Sequence, residues 1–321
     1  MVLLDAEFTH RSRRAGVIRY YIKVLVRSSR TMAGLIKFSW LFWVTNMAFA
    51  AALTIPIATV LSDHLGNSLI NQGLVEQFDF QWYLQFRSEN RTAVTIYPPF
   101  IYSIALIYML IQLFYTGGLL SVILNKTKDH IVDFFYGGVK YFLRFTKIFF
   151  VISVLYIIAL MTDTIIAYGF RMILDNSPNA FIYGSLTTIR YLIFMFFITL
   201  INIMADYSKV IVAVKDSGNI LRVINDSLVF IGKNADKVFV IYLIISSFVA
   251  VAAISYNIVD GFLPKRPLLL LLPAFIIQQI LIIFRVLIKM YFFTSEVYLF
   301  QDLASEYTEV ITEEIKSGDS E

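Results

Sequence analysis

The chain has 321 residues, of which 58% are hydrophobic and only 16% charged, with a formal net charge of +4 and a mean hydropathy of +0.72. Soluble domains carry roughly 25% charged residues, so this composition excludes an ordinary water-soluble globule and predicts an all-α, polytopic membrane bundle. Without cysteine there is no disulfide framework, thiol nucleophile or thiolate metal site, and the scattered His10, His64 and His130 form no ligand pair, so no metal or other cofactor is expected.

The chain opens with a basic arm, residues 1–37. Its first residues, MVLLDAEFTHRSRR, lack a short apolar core with a small-residue cleavage site, so the first spanning helix is expected to serve as the insertion signal. Within the arm, GVIRYYIKVLV at 16–26 places Val17, Tyr21 and Leu25 on one helical face. Spanning a bilayer takes about 20 mostly apolar residues. Six windows meet that length: Phe38–Leu61, Pro99–Leu124, Ile148–Phe170, Phe181–Ala205, Val238–Val259 and Pro267–Phe293. Together they define a membrane domain over 38–293, followed by an acidic tail over 294–321 that includes Glu296 and Asp302. Pro56 and Pro273 fall inside the first and last windows and are expected to kink them.

Between the first two spans lies the one sizeable outer loop, 62–98. Its aromatic cluster, Phe78, Phe80, Trp82, Tyr83 and Phe86, suits a protein partner or the outer headgroup layer, with a lid over the bundle as the plainer reading. The other connections are basic. Lys126, Lys128, Lys140, Arg144 and Lys147 follow the second span, and Lys209, Lys215, Arg222, Lys233 and Lys237 follow the fourth. The opposite side carries only Arg87, Arg91, Arg171, Lys265 and Arg266. The positive-inside rule therefore predicts that both termini are cytoplasmic. No basic face is left over for nucleic acid.

Residues 206–237 keep an apolar repeat at Ile220, Ile224, Leu228 and Ile231, which predicts an amphipathic helix on the inner face. Residues 131–145 and 16–26 read the same way, as helices anchored to membrane lipid. Each precedes an outward-going span, so the chain reads as a weak repeat of three hairpins with a cytoplasmic collar. Chance similarity between apolar segments is the rival. Gly117–Gly118 and Gly137–Gly138 either let helices approach closely or mark a turn.

The blocks FYTGGLLSVIL, DFFYGGVKYFLRFTKIF, MADYSKVIVAVKDSGNILRVINDSLVFIGKN and IIQQILIIFRVLIKMYFFTSEVYLF resemble a group of uncharacterised six-span bacterial integral membrane proteins. That group is similar in layout to the membrane domain attached to some glycerophosphodiester phosphodiesterases. The resemblance covers about residues 30–300 and rests chiefly on the ADY…D…LR…S…F order after the fourth span. It implies a fold and a location in the bacterial cytoplasmic (inner) membrane. It brings no catalytic residues, and no phosphodiesterase domain is expected within these 321 residues.

Ionisable groups at membrane depth are costly and often functional. Asp163 in the third window and Arg190 in the fourth lie within roughly one helical turn of the same depth, and the short connection makes their helices neighbours. They are expected to pair, with Thr162 and Thr164 adding hydrogen bonds. The pair reads as an anionic-substrate or proton site, or as a clamp between two helices. Asn46, Asn202, Gln278, Gln279 and Arg285 either line a polar path or hold helices together. Arg285 and Lys289 are expected to reach the headgroups.

No zinc motif, nucleophile elbow, phosphate-binding loop or dinucleotide fingerprint is present, so the chain offers no catalytic constellation. The sequence leads to an accessory or scaffold subunit of a membrane assembly, docking a protein partner through 62–98 or the inner-face helices. The alternative is a transporter or lipid-handling carrier with a polar site inside the bundle.

Overall fold

The computed structural model describes residues 2–66, 79–125, 130–174, 180–262 and 271–318. Among the described residues every regular element is a helix. In chain order these are α1 (Val2–Leu35), α2 (Lys37–Leu65), α3 (Phe80–Glu89), α4 (Arg91–Leu124), α5 (His130–Leu174), α6 (Ala180–Lys215), α7 (Ile220–Lys233), α8 (Ala235–Phe262) and α9 (Leu271–Gly318). Six of them, α2, α4, α5, α6, α8 and α9, are long and apolar enough to cross a membrane. Each of the first five contains one of the hydrophobic windows, and α9 contains the last window from Leu271 onward, residues 267–270 lying outside the described residues.

The helices are longer than the windows. α5 has 45 residues and α9 has 48, so each runs about 70 Å at 1.5 Å per residue. The hydrocarbon core is about 30 Å thick. The segment 131–145 is therefore not a separate inner-face helix: it is the first third of α5. Nothing interrupts it, since no proline occurs there and Gly137–Gly138 stay helical. Likewise α6 continues past Asp206 to Lys215, and α9 carries the acidic tail as helix to Gly318. Only α7 is a separate amphipathic helix in the stretch 206–237.

Local chemistry sets the ends. The α6 helix stops at Asp216, which adopts φ 51°, a left-handed conformation that aspartate tolerates better than most residues. Asn219 caps α7 by accepting a hydrogen bond from the Arg222 backbone N–H at 3.3 Å. Asp79 caps α3 by accepting from the N–H groups of Gln81 at 2.8 Å and Trp82 at 3.2 Å. The span 62–98 is thus largely helix among the described residues, comprising the end of α2, all of α3 and the start of α4. Pro273 sits in the first turn of α9, where a missing N–H costs nothing. Pro98 and Pro99 lie inside α4 instead.

The chain divides into two compact units, Lys37–Leu113 and the remainder. In the smaller unit, α2 and α4 meet through Phe49 and Tyr108, whose rings are 5.4 Å apart, and the Tyr97 hydroxyl donates to the Pro56 carbonyl at 3.0 Å. In the larger unit α5 packs along α6, α8 along α9, α1 against α9, and α7 on α6.

The larger unit is not packed evenly. Its fully buried side chains gather at one end: Leu119 and Leu120 of α4, Phe134 and Ile148 of α5, Ile203 and Ile211 of α6, Ile245 of α8, and Met290 and Leu299 of α9. α7 adds Ile220, Val223, Ile224 and Ile231 from one face and exposes Leu221 and Leu228 on the other. Leu228, which belongs to the apolar repeat in the sequence, therefore does not join the core. From Ser153 to Leu174 on α5 and from Phe181 to Asn202 on α6, no described side chain is buried. The same holds from Ser246 to Gly261 on α8 and from Leu272 to Arg285 on α9. These halves carry large apolar side chains on their surfaces, such as Met161, Ile165, Phe196 and Ile254.

Within the packed end, α4 crosses α5 at the four glycines. A Cβ on Gly137 would lie 2.1 Å from Ser121 Cβ, and one on Gly118 would lie 2.4 Å from the Phe134 carbonyl oxygen. Neither neighbour can move without shifting backbone. Gly169, farther along α5, has open space instead. Gly137→Ala and Gly118→Ala are expected to destabilise by at least 1–3 kcal/mol through overpacking, whereas Gly169→Ala is neutral or slightly stabilising. Thermal unfolding of the three variants in detergent checks this. Equal melting temperatures would contradict the close crossing.

Candidate functional site

The distal halves of α5 and α6 enclose one cavity. It measures about 270 Å³ and is lined by Leu155, Ile158, Ala159, Thr162, Asp163 and Ile166 of α5 and by Arg190, Ile193, Phe194, Phe197 and Ile201 of α6. The structure brings Asp163 and Arg190 together there, with Nε of Arg190 at 3.2 Å from Oδ1 of Asp163. The side chains are 22% and 19% exposed. The two facing atoms are themselves buried and make no aligned hydrogen bond, so the contact is an ion pair held by charge. The guanidinium also lies over the Tyr191 ring, 4.6 Å from its centre.

Thr162 and Thr164 do not support the pair. Their hydroxyls donate to the carbonyls of Ile158 at 2.8 Å and Leu160 at 2.9 Å, one turn back on their own helix. In an apolar setting that is the nearest acceptor each can reach.

The other candidate polar residues do not converge. Asn46 accepts from the Tyr108 hydroxyl at 2.8 Å, joining α2 to α4. Asn202 accepts from the Tyr156 hydroxyl, joining α6 to α5. Gln278 donates through Nε2 to the Tyr256 hydroxyl at 3.2 Å, joining α9 to α8. Each of the three hairpins therefore carries one amide–tyrosine bond. Gln279 is half-buried on α9, and Arg285 is exposed. Phe78 lies outside the described residues. In α3, Trp82 stacks on Phe86 at 5.4 Å and Phe80 lies 6.3 Å from Tyr83, while Phe80 remains largely exposed.

A second polar cluster lies inside the packed end, and sequence reasoning misses its members on α9. Asp206 pairs with Lys209 at 2.8 Å across one turn of α6. Glu296 of α9 is only 4% exposed, its Oε2 makes no hydrogen bond, and it lies within electrostatic range of Asp206 and Lys209. Lys289 points into the same region. In the sequence Glu296 reads as part of a solvated acidic tail. The available signal is the helical apolar face Met290, Phe293, Val297, Phe300, which continues past it. The basic arm and acidic tail also meet, since Arg27 pairs with Asp302 at 3.3 Å.

At the end of α6, Asp216 receives Lys140 at 3.0 Å and is also bonded by Arg144, both from α5. The hydrogen bonds from Lys140 and then Arg144 hold its carboxyl below the ordinary aspartate range. The same contacts place two cations at the carbonyl end of α6. Beside them, Ser121, Asn125, Tyr136 and Gln301 help line a polar cavity of about 350 Å³.

Among the described residues no group of acidic and histidine side chains is arranged to hold a metal ion. No family model, curated protein or solved structure matches the chain.

Two outcomes are expected from this geometry. For the membrane pair, Asp163→Asn or Arg190→Gln alone leaves an uncompensated charge, while the double variant leaves none. Each single change should lower the melting temperature more than the double change does, and a double-mutant cycle measures the coupling. Additive effects would show that the two charges act independently. For Asp216, a depressed folded pKa means that its stabilisation is complete above the unfolded value near 3.8 and is lost as the pH falls through the folded value. With the side chain 53% exposed, the gain is at most about 1 kcal/mol. Asp216→Asn keeps a residue suited to positive φ. Its melting temperature should lie below that of the wild type at neutral pH and converge with it in acid.

Proposed function

We propose that this protein is a non-enzymatic accessory or scaffold subunit of a membrane assembly. The observation that carries this reading is that Asn46, Asn202 and Gln278 each bond a tyrosine within their own hairpin. Amides used in this way hold helices together and leave no shared polar route for a solute. The packed end supplies a rigid base, and the unburied apolar halves of α5, α6, α8 and α9 supply surface for lipid or other spanning helices. The exposed aromatic and apolar residues of α3, Phe80 and Leu84, offer a further contact.

On the same reading the protein sits in a bacterial cytoplasmic membrane, in keeping with the six-span bacterial proteins that its sequence blocks resemble. Both termini and α7 then face the cytoplasm, because Lys140, Arg144, Lys209, Lys215 and Arg222 cluster towards the packed end. A second reading, a carrier for an amphiphile, is favoured by one feature: the α5–α6 cavity with its charge pair.

Native mass spectrometry of the protein released from its own membranes separates the two. A second polypeptide at fixed stoichiometry is the expected result. A lone chain that retains one defined lipid or anion, and loses it in Arg190→Gln, would replace the scaffold with the carrier. Sidedness is tested separately in this cysteine-free chain. Single cysteines at the exposed positions Asn225 on α7 and Ser88 on α3 should label from opposite faces of the membrane. Labelling from one face would overturn the topology.

A further inference from the structure

We propose that the protein self-associates in the membrane, with the α5–α6 groove of one copy receiving the Gln278 edge of the α8–α9 hairpin of a second copy. The inference rests on the geometry of the groove and of Gln278, and stands apart from the identity of any other subunit.

The groove has a specific chemical demand. Arg190 and Asp163 neutralise one another, so a net ion gains little there. The guanidinium nevertheless has five N–H donors, and only Nε faces Asp163 Oδ1. Asp163, in contact with this guanidinium, has a second carboxylate oxygen that can accept. A donor next to an acceptor is complementary to a carboxamide, which presents a carbonyl oxygen and an NH2 group side by side. A hydrocarbon tail satisfies neither. The cavity, at about 270 Å³, has room for a side chain and not for a helix. The rest of its lining is almost wholly apolar, so the occupant must bring apolar neighbours as well.

Gln278 meets these conditions. It is exposed on α9, and its bond to Tyr256 uses one of the two amide donors. Its neighbours Phe275, Ile276 and Ile280 are exposed too. The heights agree. Measured from the last buried residue of each helix, Asp163 lies about eleven residues beyond Ile152 and Arg190 about thirteen beyond Ile203. Gln278 lies about eight residues beyond Val286, and its partner Tyr256 about eleven beyond Ile245. At 1.5 Å per residue these positions span roughly 12–20 Å from the packed end, a spread that the long arginine and glutamine side chains can bridge. Polar groups left against lipid at such depth are costly and almost always turn towards protein. One contact between copies covers both. Because the two surfaces differ, the contact is head-to-tail and builds a ring if its rotation closes.

The lack of cysteine makes the test direct. Chains carrying Thr162→Cys in the groove and chains carrying Phe275→Cys one turn from Gln278 are co-expressed with different tags and oxidised in native membranes. Both positions are exposed, so neither change disturbs the core. The expected product is a disulfide-linked dimer bearing both tags, and a chain with both cysteines should give a ladder of higher species. Adding Gln278→Leu should reduce the mixed dimer at least fivefold. The cross-link alone, with Gln278 intact, guards against a variant that fails to fold. Absence of the mixed dimer, dimers bearing only one tag, or a yield unchanged by Gln278→Leu would each overturn the proposal.

Discussion

In hydrocarbon an apolar side chain gains almost nothing by packing against protein, because the lipid tails are as apolar as its neighbours. Only water makes burial worthwhile, at roughly 25 cal/mol per Å². That constraint accounts for the uneven packing of the larger unit. The core gathers where α5, α6 and α9 run past their hydrophobic windows, joined there by the adjoining window ends of α4 and α8 and closed by α7. There Phe134, Phe145, Ile211 and Leu299 are fully buried. The distal halves of the same helices leave Met161, Phe196 and Ile254 uncovered. The glycine crossing of α4 and α5 serves this base, since it brings two backbones close enough for Phe134 and Leu120 to fill the space around them.

Polar groups follow the opposite rule. In the distal halves each finds a partner locally, either a carbonyl one turn back on its own helix, as for Thr162 and Thr164, or a group on the other arm of its hairpin. Tyr156 with Asn202, Tyr256 with Gln278, and in the smaller unit Tyr108 with Asn46 are the result. Asp163 and Arg190 follow the same logic with charge in place of an amide. Inside the packed end the polar residues are more concentrated. Asp206, Lys209, Lys289 and Glu296 come from two helices that meet in the core, and Ser208 and Ser227 both donate to the Met204 carbonyl, at 2.7 Å and 3.1 Å. The second of those bonds pins α7 to α6.

The packed end of the larger unit and the unburied halves of α5, α6, α8 and α9 beyond it are the features on which the proposed scaffold role draws. The scaffold reading and the self-association proposal draw on different parts of the molecule. The first rests on amides that each bond a tyrosine within their own hairpin. The second rests on hydrogen-bonding capacity that remains at one groove and one edge. The polar cavity beside Asp216 and the buried Glu296 belong to the base, whose helices are tied by Lys140 and Arg144 at one corner and by Arg27 and Asp302 at another.

Hydropathy alone determined that six segments are long and apolar enough to span a membrane, because that property depends only on a run of side chains. Length and depth also made Asp163 and Arg190 legible as two charges at one level on helices joined by a short connection. The amphipathic period of Ile220, Ile224 and Ile231 marked α7 in the same way. What the sequence could not decide is where each helix ends and which apolar face is covered. Residues 131–145 have the same periodicity whether they form a separate helix or the start of α5, and only the uninterrupted backbone settles that they are the start of α5. Leu228 is about as hydrophobic as Ile231, yet one faces out and the other in, because α6, with α5 and α8, packs against one face of α7. Glu296 reads as solvated until the continuation of α9 carries it into the core. Apolar content is a property of the chain, whereas burial belongs to the neighbours that the tertiary structure brings to it.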